Sequence, residues 1–165
     1  MIPKIIHYCW FGSDIKPDYF YSCHKSWIKY FPEFQILEWN ESNADLTHPF
    51  LIKAVQQKKW AFVSDFVRIQ KLIEYGGIYL DTDMLFIRQF DLKLLYFNYF
   101  IGMEDSQNLN GAVFGTVKNE NFFKMVYQYY LDLKNFDLER VTIPVVLNSV
   151  FLRLNEENPK PGIFN

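Results

Sequence analysis

Residues 60–84 read WAFVSDFVRIQKLIEYGGIYLDTDM, and the fold depends on how this stretch is divided. Phe62, Phe66, Ile69 and Ile73 recur at intervals of four, three and four. That spacing places them on one narrow stripe of a helix spanning about residues 60–75. Gly76 predicts a left-handed residue that ends this helix. Residues 78–80 then read as a short buried strand, followed by Asp81-Thr82-Asp83 and a second apolar run at residues 84–87. In a strand, residues i and i+2 project to the same side, so the two carboxylates are expected to converge on one cation. Mg²⁺ or Mn²⁺ takes about six oxygen ligands, and two side chains supply too few. Water and substrate must supply the rest, and a diphosphate brings suitable anionic oxygens.

The remaining chain supports an alternation of strands and helices. KIIHYCW (residues 4–10) reads as a buried strand closed by Gly12. Pro17 opens a helix in which Phe20, Cys23, Trp27 and Tyr30 fall at helical spacing. FQILEW is a second strand and NESNAD a loop. Residues 48–58 form a short helix with Pro49 in its first turn. NYFIGM and GAVFGTV add two strands, Asn119 is the expected cap of the helix in ENFFKMVYQYYLDL, and a last helix follows Pro144. This order predicts an α/β fold with a mostly parallel central sheet flanked by helices, in one domain covering residues 1–165. The final NEENPKPGIFN ends on an Ile-Phe pair ready to begin another element, so the domain reads as shortened at its C-terminus.

Composition bounds the function. Half of the 165 residues are hydrophobic and 19% aromatic, which describes a globular core. A net charge of −2 with no basic tract gives no electrostatic reason to expect nucleic acid. Cys9 and Cys23 are too few for a disulfide framework and suit a reducing compartment. No apolar run has the length of a signal peptide or a spanning helix. The expected location is cytoplasmic, and the many Phe and Tyr residues are compatible with a peripheral contact at the inner face of the membrane. Oligomeric state is not legible.

Asp65 and Arg68, three apart, share one helix face. In isolation they read as a solvated ion pair, and D-x-D in isolation reads as a polar turn. The preceding GGIYL shifts the second reading toward a metal site. It also brings the helix directly back as the metal strand, so Asp65 can accept from sugar hydroxyls while Arg68 donates to hydroxyl or phosphate oxygens.

The ordered pattern S-D-x-x-R, helix, G-G-x-Y-x-D-x-D resembles the sugar-nucleotide signature of glycosyltransferase family 32. That family includes bacterial capsular and lipopolysaccharide sugar transferases and yeast initiating mannosyltransferases. More distantly, the pattern is similar to the glucosyltransferase domains of large clostridial toxins. IPKIIHYCWFG also resembles the family's opening strand, so the likeness covers roughly residues 2–88. It implies a GT-A fold and a UDP- or GDP-sugar donor. It further implies a saccharide or lipid-linked saccharide acceptor in surface polysaccharide synthesis, and transfer with retention. By the same resemblance Asp65 and Arg68 contact the donor sugar and Asp81 contacts ribose or sugar and assists the metal. Asp83 then ligates Mn²⁺ or Mg²⁺, and Trp10 lies against the base, where an aromatic face can stack. Trp10 reads equally well as core. His7 reads as a hydrogen-bonded core histidine, and His24 and His48 carry no signal. Asn43 is a candidate nucleotide contact, and Glu104 and Asn110 are candidates for the sugar or acceptor side. The chain departs from the family in having no histidine after His48 and no tryptophan after Trp60. A nucleotide-sugar-binding protein with little turnover is therefore the alternative. A phosphohydrolase of the haloacid-dehalogenase type, with Asp81 as nucleophile, is the remote one.

Overall fold

The computed structural model describes residues 1–12, 15–133, 137–155 and 159. In chain order the elements are β1 (Ile5–Cys9), α1 (Asp18–Tyr30), β2 (Gln35–Trp39), α2 (Pro49–Gln56), α3 (Trp60–Tyr75), β3 (Gly77–Leu80), β4 (Tyr99–Met103), β5 (Leu109–Thr116), α4 (Asn121–Leu131) and α5 (Ile143–Asn155). The sheet order is β2-β1-β3-β5-β4. β1 is parallel to β2 and β3, and β5 is antiparallel to β3 and β4. Four strands therefore point one way and only β5 runs against them, which is the mostly parallel sheet expected.

Strands buried on both faces read as continuous apolar runs, and β1 and β3 do so. Ile6, Tyr8, Ile78 and Leu80 join Phe20, Cys23 and Trp27 of α1 on one face. Cys9 and Tyr79 lie in the opposite core with residues from α2, α3, α4 and α5. α3 buries Val63, Phe66, Val67, Ile69 and Leu72, each contributing roughly 1.5–3 kcal/mol when fully removed from water. Phe62 and Ile73 of the expected stripe are only half-buried at its margins. The buried face is wider than the stripe because α3 packs against α2 and α4 as well as the sheet.

Local corrections have clear causes. The residues of the apolar run 84–87 join no strand of the sheet. They run instead along α1: Trp27 Nε1 donates to Met84 O at 2.6 Å, Phe86 N to Ser26 Oγ at 3.0 Å, and Tyr30 Oη to Ile87 O at 3.1 Å. Gly76 ends α3 at φ 68°, ψ −169°. This is the extended positive-φ region open essentially to glycine alone, not the left-handed helical one. Gly77 follows at φ 108°, where a Cβ would lie 2.7 Å from Ile5 O. The pair turns α3 straight into β3. α4 is capped not by Asn119 but by Glu120, whose carboxylate accepts from Phe123 N at 3.2 Å. Asn119 takes a positive φ of 60° instead, which asparagine tolerates better than most residues. His48 has a role the sequence did not signal: its Nδ1 accepts from Phe50 N and caps α2. The Ile163-Phe164 end lies outside the described residues. No helix among the described residues is long and apolar enough to cross a membrane.

Candidate active site

β1 sits between β2 and β3 with crossovers leaving to both sides. Such a switch of direction opens a crevice beyond the carboxyl ends of the strands. Trp10 follows β1 at that edge and Asp81 follows β3. Asp81 and Asp83 do not lie in a strand, as the same-side expectation assumed. They occupy a turn closed by Met84 N donating to Asp81 O at 3.1 Å. The turn starts where β3 stops, because Asp81 N donates across to Ala112 O at 2.8 Å and no ladder continues past it.

A cleft of about 330 Å³ opens beside this turn, lined among others by Asp65, Arg68, Asp81, Glu104, Asn110 and Gly111. Thr142, Ile143 and Pro144 at the start of α5 complete its wall. The structure thus brings together Asp65, Arg68, Asp81, Glu104 and Asn110, drawn from α3, the β3 turn and the β4–β5 hairpin. Trp10 is not among these lining residues. Its half-buried ring packs on Phe20 at 6.0 Å, with Lys16 Nζ 5.9 Å from its centroid. Asp83 is exposed at the turn. Asn43 serves its own loop, accepting from Asn40 N and donating to Glu38 O, both at 2.9 Å.

Arg68 is the hub of the cleft. The pair with Asp65 is buried rather than solvated, with 6% and 8% of the two side chains exposed and 3.1 Å between Nη2 and Oδ1. Nη1 reaches Gly111 O at 2.6 Å and Asp81 Oδ1 at 3.2 Å, and Nε donates to Ser64 O at 3.2 Å. The guanidinium lies 4.3 Å over the Tyr79 ring. Burial opposes its charge, but Tyr79, Asp65 and Asp81 more than offset this and hold its proton tighter than usual. Asp65 shows the other balance: burial pushes its carboxyl up to about 6, while Arg68 and the amide of Ile143 pull it down. With Arg68 cationic and two bonds accepted, we take the carboxylate as ionised at neutral pH. Its second oxygen, Oδ2, accepts from Ile143 N at 3.0 Å, satisfying an otherwise orphaned amide at the start of α5.

Asp81 is pinned at one oxygen only. Tyr79 Oη donates to Oδ1 at 3.0 Å and Arg68 pairs with the same atom, while about a third of the side chain stays exposed. Tyr79, Gly111 and the Ile143 amide are the site contributors that sequence reasoning missed. Tyr79 stood within the G-G-x-Y-x-D pattern without an assigned role, and nothing local marked the other two.

His7 is a core residue, as expected. Trp39 Nε1 donates to Nδ1 at 3.1 Å, so Nε2 carries the proton and faces Gly76 O at 2.8 Å. Burial lowers its pKa from 6.5 to about 4 against the pull of the Gly76 carbonyl. A buried neutral histidine contributes stability present above pH 6.5 and lost as pH falls toward 4. Asp65, raised above its usual value, acts in the opposite sense over an overlapping window. The direct check is the His7 imidazole itself. Its ring ¹⁵N resonances should report the Nε2–H tautomer from pH 8 to 5, with a midpoint near 4. A midpoint at 6 or above would contradict the buried arrangement.

A sheet of this order, with a carboxylate couplet at its carboxyl edge and a basic hub behind it, defines a DXD-type glycosyltransferase domain. The family model described as the glycosyltransferase sugar-binding region containing the DXD motif matches residues 17–101, a little over half the chain, and the chain belongs to that family. Among curated relatives, inositol phosphoceramide mannosyltransferase 3 of Schizosaccharomyces pombe is 28% identical over 130 residues, 76% of this chain and 36% of its own length. Mannosyl phosphorylinositol ceramide synthase SUR1 of Saccharomyces cerevisiae is 26% identical over 142 residues, 83% of this chain and 36% of its own. This chain therefore spans about a third of the length of those relatives. Among solved structures, PaToxG glycosyltransferase superposes with a TM-score of 0.72 at 16% identity, covering 94% of this chain and 70% of that one. That likeness speaks for the fold alone.

Proposed function

We propose that this chain transfers a hexose from a UDP- or GDP-sugar to a hydroxyl of a saccharide or lipid-linked saccharide acceptor, with retention. The observation that carries the reading is the cleft at the carboxyl edge of the sheet, onto which Asp81 opens with one oxygen pinned. The relatives' names make mannose the first donor sugar to test. They also put a phosphoinositol-bearing lipid beside the polysaccharide acceptors, which suits a site of action at the inner face of the membrane.

Asp81 and Asp83 fit Mn²⁺ or Mg²⁺ in kind, being hard oxygen donors. Among the described residues no group of three or more His, Cys, Asp or Glu could hold a metal ion, so water and the donor's diphosphate must fill the other positions. Such an ion supplies charge neutralisation for the departing diphosphate. The chain's own work is to hold the donor. Arg68 and Tyr79 orient Asp81, while Asp65 and Arg68 present a charged wall to the sugar. A direct bond from Arg68 to sugar or phosphate requires exchange of one of its present partners. The acceptor oxygen bonds to the anomeric carbon on the face from which the diphosphate leaves. The acceptor proton passes to a diphosphate oxygen.

Turnover of UDP- and GDP-hexoses with Mn²⁺, followed by NMR of the product anomer, tests this. Retained configuration is expected. Inversion would rule out the front-side route, and tight donor binding without turnover would favour the binding-protein alternative.

A further inference from the structure

Three carboxylates line the cleft; one is wholly and one half committed to the protein. Asp65 spends both oxygens, on Arg68 and on Ile143 N, and Asp81 spends Oδ1 on Tyr79 and Arg68. Glu104 differs. It stands at the far end of β4, on the wall contributed by the β4–β5 hairpin, and its side chain is exposed. Among the described residues no group hydrogen-bonds to its carboxylate.

The backbone beneath it is held firmly. Glu104 N donates to Asn108 O at 2.8 Å. Asn108 is in turn gripped from α5: Asn148 Nδ2 donates to Asn108 Oδ1 at 3.0 Å, and Asn148 Oδ1 accepts from Leu109 N at 2.9 Å. Asn110, on the same wall, accepts from Ala112 N through Oδ1 at 2.5 Å. A backbone N–H can only donate, so this bond sets the amide orientation and leaves the Nδ2 hydrogens as donors. A clamped hairpin thus presents one acceptor-only group and one donor on a single wall of the cleft. A polyol carries groups suited to both, one hydroxyl donating to the carboxylate and another accepting from the amide.

Resting on the transferase reading above, we propose that Glu104, assisted by Asn110, forms the acceptor subsite and selects a polyhydroxylated acceptor, a sugar or a cyclic polyol, over a simple alcohol. Glu104 holds hydroxyls beside the attacking one, and its role ends with positioning.

The test compares wild type, Glu104→Ala and Glu104→Gln on the full chain with the donor that wild type turns over. Free monosaccharide, myo-inositol and 1-propanol serve as acceptors. For polyol acceptors the KM should rise at least tenfold in Glu104→Ala, while donor KM moves less than twofold. Glu104→Gln keeps an acceptor oxygen and should recover much of the loss. Transfer to 1-propanol, with no second hydroxyl to hold, should not discriminate among the three. An unchanged polyol KM in Glu104→Ala overturns the acceptor subsite and leaves the transferase standing. Equal KM increases for donor and polyol overturn it too, since the wall would then serve the donor. Absence of any donor turnover by wild type defeats both readings together.

Discussion

Arg68→Ala should destabilise the protein by about 3–5 kcal/mol, the cost of stranding a buried charge. Asp65 would keep its bond to Ile143 N but lose the only cation within ion-pair distance among the described residues, at a position where its side chain is 8% exposed. Gly111 O and Ser64 O would lose their donor as well. Urea denaturation should show the midpoint falling without a change of slope. For a domain of this size the melting temperature should fall by roughly 6–20 °C. Arg68→Lys should not rescue it, because an ammonium cannot reproduce a planar fork that meets Asp65, Asp81, Gly111 and Ser64 together. The Asp65→Asn, Arg68→Met double variant should lie closer to wild type than Arg68→Ala, since it removes both charges at once. A loss under 1 kcal/mol in Arg68→Ala would show that the pair is solvated after all.

Asp83→Ala should have the largest effect on chemistry and almost none on the fold. The residue is exposed and no side chain among the described residues depends on it through a hydrogen bond or ion pair, so its stability cost should stay within about 0.5 kcal/mol. Wild type should gain about 2.7 kcal/mol of apparent stability from a recognised donor plus Mn²⁺ at a hundredfold excess over Kd. Asp83→Ala should lose that gain while keeping its unliganded melting temperature. If the ion neutralises the departing diphosphate, turnover should drop by roughly three decades, since a few kcal/mol of barrier convert at 1.36 kcal/mol per decade. Metal-dependent stabilisation that persists in the variant would remove Asp83 from the metal site.

Local order was legible in the sequence and distant closure was not. The helix over residues 60–75, the glycine pair and the short strand before Asp81 all follow from spacing and backbone chemistry within a few residues. The apolar runs NYFIGM and GAVFGTV also located β4 and β5. The same-side argument for Asp81 and Asp83 borrowed strand geometry beyond residue 80, because alternation cannot show where a partner strand stops pairing. Asp65 and Arg68 were recognised as one helix face, but whether that face is wet depends on Gly111 and Ile143, 43 and 78 residues away in the chain. No periodicity carries that information. Asn43 is the opposite case: its bonds are all local, made to Asn40 and Glu38 within its own turn.

The bond from Asp65 to the first amide of α5 sets a lower limit on how far this protein can be trimmed. A fragment ending at residue 101, where the family match stops, would contain the whole signature yet lack Gly111 and Ile143. Its guanidinium and carboxylate would be left to water, and Asp81 would have no opposing wall. The smallest excised piece able to hold a donor therefore runs at least through the first turn of α5, which begins at Ile143, well beyond the end of the family match at residue 101.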